Sequence, residues 1–163
     1  MYQDPTADLD SYATITIRNV SSWPFAARLY EDALTCTGPV FFTPEPREMK
    51  HGDARTFRAK KGEPFTIGAW YVTWKGRTKR QCDLNTTFVP TAATYEIAYD
   101  ADDGLENCSV EIAVEENGSK RPLPKDSLVV RGFHLAFADS GPWCQKLSDA
   151  HRATLGMGTP AAN

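Results

Sequence analysis

The residues of this chain that could do chemistry are few, and they do not form a complete catalytic set. Asp139-Ser140-Gly141-Pro142 partly matches the nucleophile motif of chymotrypsin-like proteases, but no Ala-His-Cys motif precedes it to supply the base that must activate a serine. The histidines, which are His51, His134 and His151, are not spaced as zinc ligands. We therefore expect no catalytic residues, no metal and no cofactor.

An enzyme remains the alternative function. A small exported hydrolase without a local motif would need a pocket that gathers His51, Asp53 and Ser140. The acidic segment 100–106 resembles a calcium-binding loop, but Gly104 stands at its fifth position, where an EF-hand needs an oxygen ligand. The sequence favours a solvated acidic hairpin loop for this segment.

The four cysteines indicate a disulfide-bonded, exported domain. Their number is even, their spacing is wide and no C-x-x-C pair occurs, which is typical of two disulfides formed in an oxidising compartment. Three pairings are possible, and we prefer Cys82 with Cys108, because both lie on successive predicted strands, which leaves Cys36 with Cys144. Export would require a signal peptide that has been removed, since Met1 is followed at once by polar residues.

Charge is segregated along the chain. The net charge is −3 and the isoelectric point is about 5.6, so no general attraction to nucleic acid is expected. Residues 55–80 nevertheless hold eight basic side chains and one acidic one, whereas residues 81–119 hold nine acidic side chains and no basic one. This asymmetry favours a surface that steers a charged partner, and cross-strand neutralisation within one sheet is the alternative.

We predict that the partner-binding surface lies around the Lys75-Gly76 turn, because a hairpin tip cannot bury its charges. Strand alternation, with Trp70 and Trp74 taken as core residues, turns Tyr71 towards solvent beside these cations. Two alternatives remain: the acidic loop 100–106 folds against the tip and cancels it, or the patch binds single-stranded nucleic acid. The predicted partner-binding residues are Lys75, Arg77, Lys79, Arg80 and Tyr71.

Strand patterns dominate the rest of the chain, which has the length and composition of one globular domain. We predict an all-β, two-sheet sandwich of seven to eight strands, immunoglobulin-like or transthyretin-like in the broad sense. Residues 1–11 are expected to form a tether, 12–147 the sandwich, and 148–163 a short helix capped by Ser148 with a flexible tail. The loop predicted between early strands covers 43–52. The strand candidates are Ala13–Ile17, Phe25–Tyr30, Phe65–Trp74, Cys82–Val89, Thr94–Tyr99, Cys108–Glu115 and Arg131–Ala138.

The segments Phe88–Asp100 and Cys108–Ile112 resemble small periplasmic lipoproteins of proteobacteria, in which a proline turn leads to a Y-x-V-x-Y strand and then to a cysteine-bearing strand. The opening strands and the run from Arg28 to Cys36 are also similar. The resemblance implies a location in the periplasm or at the outer membrane, with membrane attachment only through an N-terminal lipid anchor that this chain no longer carries. Some such proteins inhibit or neutralise toxins and lysozymes.

Together these features predict a non-enzymatic periplasmic or cell-envelope module that binds a protein partner, of adaptor, inhibitor or immunity type. A structural component of envelope assembly is a further possibility. Four of the five asparagines also stand in N-x-S/T sequons, so a eukaryotic secreted glycoprotein domain stays open as an alternative. These asparagines are Asn19, Asn85, Asn107 and Asn117.

Overall fold

Eleven strands make up most of the described chain in the computed structural model. The structure describes residues 2–6, 8–41, 48–134 and 137–158. A single short α-helix, α1 (Asp149–Thr154), lies near the C-terminus, and 3₁₀ turns occur at Leu9–Ser11 and Lys125–Ser127. The strands are β1 (Tyr12–Asn19), β2 (Phe25–Asp32), β3 (Thr37–Phe41), β4 (Glu48–Met49), β5 (Ala54–Lys60), β6 (Phe65–Lys75), β7 (Thr78–Phe88), β8 (Thr94–Ala101), β9 (Cys108–Glu116), β10 (Ser119–Pro122) and β11 (Leu128–Arg131).

The strands form two sheets. The first has the order β10-β9-β8-β1-β5, and the second has the order β11-β7-β6-β2-β3, with β4 also paired to β2. The pair of β1 and β8 is parallel, whereas the other strand pairs are antiparallel. The predicted all-β, two-sheet sandwich with a short C-terminal helix is therefore confirmed.

The core lies between the two sheets and follows from the two-residue period of the strands. In β1 the buried positions alternate with half-buried ones, so that Ile15 and Ile17 point into the core while their threonine neighbours point out. Phe25 of the second sheet packs against Tyr99 of the first, with ring centroids 5.4 Å apart. Two further aromatic contacts join the sheets, Phe57 with Phe65 at 5.2 Å and Phe88 with Tyr95 at 5.2 Å between ring centroids.

Six of the seven predicted strands correspond to β1, β2, β6, β7, β8 and β9, whereas β3, β4, β5 and β10 were not predicted. The predicted strand Arg131–Ala138 needs correction. The strand is Leu128–Arg131, Phe133 makes only an isolated bridge with Cys144, and Phe137 is fully exposed. β11 pairs with β7 only as far as Asn85, and the chain that follows places Phe133 and Trp143 against Arg28 on the outer face of the sheet. Leu135 lies outside the described residues.

Residues near the described N-terminus contact the sandwich, and those near the described C-terminus form a capped helix. Within the predicted tether, the Arg58 amide donates to the Tyr2 hydroxyl at 2.9 Å, so this end of the segment is attached to β5. Ser148 caps α1 as predicted: its hydroxyl accepts from the His151 amide, and its own amide donates to His151 Nδ1. The first half of the loop predicted over 43–52 lies outside the described residues, and the second half forms β4 and the turn that follows it.

The disulfides join Cys36 to Cys144 and Cys82 to Cys108, as predicted, and no free cysteine is present. The first closes a separation of 108 residues and the second one of 26. In the chain-entropy model such loops contribute about 4.8 and about 3.5 kcal/mol to stability. Two structural disulfides indicate an oxidising, extracellular or periplasmic environment.

A buried arginine holds the turn after β2. Arg131 is 2% exposed, and its guanidinium donates to the carbonyls of Leu34 (2.6 Å) and Ala33 (2.8 Å) and to the Thr87 hydroxyl (2.8 Å). Among the described residues no carboxylate comes within ion-pair distance of it. Burial lowers the pKa of Arg131, while attraction to Asp32 acts in the opposite direction. The positive charge is therefore stabilised mainly by neutral oxygens.

Arg131→Met should lower the free energy of unfolding by about 3 kcal/mol, because the half-buried Leu34 carbonyl and the buried Thr87 hydroxyl lose a charged donor. Urea unfolding of the oxidised protein measures this change. The matched control is Arg121→Met, which removes an exposed pair with Glu116 and should cost well under about 1 kcal/mol. An equal free energy of unfolding for the two variants would show that Arg131 does not stabilise the turn after β2.

Candidate functional site: an aromatic and basic hairpin

The hairpin of β6 and β7 extends beyond the sheet that contains it. The two strands pair along their whole length, from Phe65 opposite Phe88 to Lys75 opposite Thr78. The neighbouring strand β2, however, pairs with β6 only as far as Tyr71. The part from residue 72 to 81 is therefore a two-stranded extension that reaches about 13 Å past the sheet, at a strand rise of about 3.3 Å per residue.

The outer face of β6 at the margin of the sheet and along this extension, which we call the aromatic face, carries the side chains of Trp70, Val72 and Trp74. They are 39%, 37% and 63% exposed. Tyr71 lies on the opposite face, is fully buried and packs against Phe25 with ring centroids 5.1 Å apart. The prediction that Tyr71 faces solvent and that both tryptophans lie in the core is therefore wrong.

The reversal has a simple physical cause. Residues with the parity of Tyr71 continue the core side of β6, where Ile67 and Ala69 are buried between the sheets. Gly68 lies on the same face of β6 as Trp70. Side chains of the same sheet cover that face at Gly68, where an added Cβ would lie 2.8 Å from the Tyr30 hydroxyl. Ile67 and Ala69, which lie earlier in the strand, thus determine which face of the hairpin is buried.

Two contacts hold the inner face of the extension against the other sheet. The Cys82–Cys108 disulfide ties β7 to the start of β9. Nearby, Arg80 Nη1 donates to the carbonyl of Gly104 at 3.0 Å. Because both contacts lie on the inner face, they fix the hairpin while leaving the aromatic face open to solvent. A surface held in this way loses little conformational entropy when it binds.

The cations of the tip divide into two groups. Lys75, Arg77 and Lys79 are exposed, and none of them has a carboxylate within ion-pair distance in the described part of the chain. Arg80 is half-buried and bonded to the acidic loop. The alternative, in which segment 100–106 folds against the tip, is therefore met only at Arg80 and through a neutral backbone carbonyl, whereas the other three cations project a positive potential into solvent.

Asp83 lies at the base of the aromatic face, directly across from Trp70. Gln81 Nε2 donates to its Oδ2 at 3.0 Å, while Oδ1 is buried and accepts no hydrogen bond from the described residues. Burial raises the pKa of Asp83 to about 6, although attraction to Arg28 and Lys79 favours the charged form. The base of the surface therefore holds a carboxyl group that titrates within the physiological range.

Trp70 is also supported from within the fold. The guanidinium of Arg28, which is 8% exposed, lies 5.7 Å from the Trp70 ring centroid, 5.6 Å from that of Phe133 and 5.4 Å from that of Trp143. Cation–π contacts with three rings fix the position of this charge. Trp70 thus belongs both to this cluster and to the aromatic face.

The residues of the hydrolase alternative are not brought together. His51 Nδ1 lies 2.9 Å from the Ser21 carbonyl, in the turn after β4, and Asp53 accepts from an amide of the same turn. The Ser140 carbonyl accepts from Gly38 in β3. Because β4 and this part of β3 pair with opposite ends of β2, the two groups are separated by most of the length of that strand.

The remaining candidates have local structural roles. Asp102 accepts from the side-chain amide of Asn107 (2.9 Å) and from the backbone amides of Glu106 (2.8 Å) and Asn107 (3.1 Å), and these bonds, the first most of all, lower its pKa. Its carboxylate thus closes the acidic loop. Of the sequon asparagines, Asn19 and Asn85 are buried. Among the described residues, no group of three His, Cys, Asp or Glu side chains is arranged to hold a metal ion.

No protein-family model, curated protein sequence or solved structure matches this chain. In the part of the chain that the structure describes, no helix is both long and apolar enough to cross a membrane.

Asp83→Asn should make the protein more stable at pH 7 and less dependent on pH. The folded state keeps a proton on Asp83 up to about pH 6, whereas the unfolded chain releases it near the ordinary value of 3.8. The folded protein therefore binds more protons between these values, and its stability falls as pH rises from about 4 to 6.

Urea unfolding at pH 4.5 and pH 7 measures this effect, and the neutral amide should remove the Asp83 part of the difference. Asp126→Asn, in an exposed 3₁₀ turn, is the matched control and should keep the wild-type pH dependence. A loss of stability at pH 7 on Asp83→Asn would show that attraction to Arg28 and Lys79 outweighs the cost of burial.

Proposed function

We propose that this protein is a non-enzymatic module of the periplasm or cell envelope that binds another protein through the aromatic face and tip of the β6–β7 hairpin. One observation carries the proposal: three large apolar side chains stand side by side in solvent on a rigid hairpin. Contiguous exposed apolar surface of this kind is uncommon on monomeric proteins and marks interaction sites.

Residue type and charge specify the partner further. Tryptophan is enriched among the residues that contribute most to binding energy, and Trp74 is the most exposed of the three. Lys75, Arg77 and Lys79 lie around it, and none of them pairs with a carboxylate of the described residues. We infer a partner that offers an apolar pocket for Trp74 with acidic side chains around it.

The location is argued from the disulfides and from the resemblance to periplasmic lipoproteins. The disulfides fit any oxidising compartment, and the resemblance favours the periplasmic side of a bacterial envelope, with adaptor, inhibitor or immunity roles. The glycoprotein alternative is disfavoured by two sequons: Asn19 and Asn85 are buried and their amides donate to backbone carbonyls, so a glycan at either position would be incompatible with this fold.

The partner can be identified from the hairpin itself. A photoreactive phenylalanine analogue in place of Trp74 should crosslink to one envelope protein, while the same analogue in place of Val130 should not. Val130 is 42% exposed on β11, outside the hairpin. Equal crosslinking from both positions would contradict a specific surface, as would binding of polysaccharide rather than protein by the aromatic face.

With the purified partner, Trp74→Ala should weaken binding by about 30-fold, as expected for a central binding residue, and leave the melting temperature nearly unchanged. Arg77→Glu with Lys79→Glu should slow association by about tenfold at low salt and much less at high salt. Lys61→Glu with Lys125→Glu is the control, because it changes net charge equally outside the hairpin. If the control variant slows association with the partner as much, then the association rate depends only on net charge, and the assignment of the docking site to the hairpin tip is wrong.

A further inference from the structure

A second candidate site lies at the other end of β2. There the turn after β2, the segment 142–147 and helix α1 enclose an open cavity of about 550 Å³. This volume falls within the range of small-molecule binding sites, about 300–1,000 Å³. Its described lining includes Leu34, His134, Pro142, Lys146, Leu147 and Arg152.

The walls of this cavity are fixed by bonds that do not depend on a ligand. The Cys36–Cys144 disulfide joins its two sides. Next to the disulfide, the Trp143 amide donates to the Cys36 carbonyl at 3.0 Å. Arg131 holds the carbonyls of Ala33 and Leu34 from below. The cavity therefore has a preformed shape, which lowers the cost of ordering it around a ligand.

The described lining of the cavity combines an apolar surface with basic side chains and holds no acidic one. Leu34, Pro142, Leu147 and the disulfide make its surface mainly apolar. Three basic side chains, those of His134, Lys146 and Arg152, lie at the same cavity, and none of the described lining residues is acidic. Arg152 Nε donates only to a backbone carbonyl, that of Gly158 at 3.4 Å, and Lys146 has no ion pair among the described residues. An uncharged apolar ligand would leave the charges of Lys146 and Arg152 without a partner of opposite charge.

We propose that this cavity binds a small anionic amphiphile, a molecule with an apolar chain and one carboxylate or phosphate group. The chain would lie against Leu34 and Leu147, and the anion would lie between Lys146 and Arg152. This site is independent of the hairpin and goes beyond the proposed docking function, because it lies at the opposite end of β2 and shares no residue with the aromatic face.

Octanoate is the probe, with octanol as its neutral analogue, and binding is followed by amide chemical shifts in NMR titrations. We expect octanoate to shift the amides of Leu34 and Leu147 and to bind at least fivefold more tightly than octanol. Lys146→Gln with Arg152→Gln should weaken octanoate binding by about tenfold, since each partly exposed charge contributes modestly, and leave octanol binding unchanged. The control is Lys120→Gln with Arg121→Gln, which should bind octanoate like the wild type.

Three results would overturn the proposal: equal affinity for octanoate and octanol, equal effects of the two double variants, or shifts centred on Trp70 and Trp74. A parallel measurement with vesicles containing phosphatidylglycerol distinguishes a free amphiphile from a membrane surface. Sedimentation with the vesicles that octanoate does not compete away would assign the basic residues to a membrane surface instead. Each variant is compared with the wild type by its melting temperature, so that loss of binding is separated from loss of fold.

Discussion

The outer face of the second sheet depends on one buried charge. Arg131 stands at the end of β11, where the chain leaves the sheet, and its guanidinium binds the carbonyls of the turn that ends β2. A cation without an acidic partner is costly to bury, and it persists here because neutral oxygens surround it. The turn that it holds then positions Cys36, and the disulfide to Cys144 positions the last segment of the chain over the sheet.

This arrangement decides which surfaces stay open. Trp143 and Phe133 of the last segment cover Arg28 and stack on each other at 5.6 Å between centroids. Their coverage ends at Trp70, and from there to the tip no element of the described chain covers the aromatic face. A similar boundary at the other end of the sheet leaves the cavity beside Leu147. The aromatic face and the cavity thus lie at the two edges of the segment that covers the outer face of the second sheet.

Much of the fold could be predicted from the sequence, because alternation and turn residues mark strands directly. Cys108 to Glu115 alternates clearly, and Asn117-Gly118 forms the expected turn with both residues at positive φ. The strand β5 was missed because its arginines hide an alternation in which Phe57 is buried and its neighbours are exposed or half-buried. The disulfide pairing was predicted from strand order, which this fold happens to preserve.

The candidate site was located on the correct hairpin but on the wrong face. Hydrophobicity favours burial of tryptophan, yet the parity of β6 is set by Ile67 and Ala69, and a comparison of these residues with Thr66 and Gly68 would have given the right answer. No local sequence pattern indicates the hydrogen bonds of Arg131 or the cavity beside Lys146. Both depend on residues about a hundred positions apart, which only the closed sandwich brings together.

The two disulfides are nested, since the bond from Cys82 to Cys108 lies within the span of the bond from Cys36 to Cys144. A chain that emerges from its N-terminus presents Cys36 and Cys82 together before either native partner has appeared. An oxidant acting at that moment can join only this pair, which the native fold does not contain. The native pairing then forms either when oxidation follows the appearance of Cys108 or when thiol–disulfide exchange rearranges a first bond between Cys36 and Cys82. The order of the cysteines makes the yield of folded protein depend on the redox machinery of the compartment in which it folds.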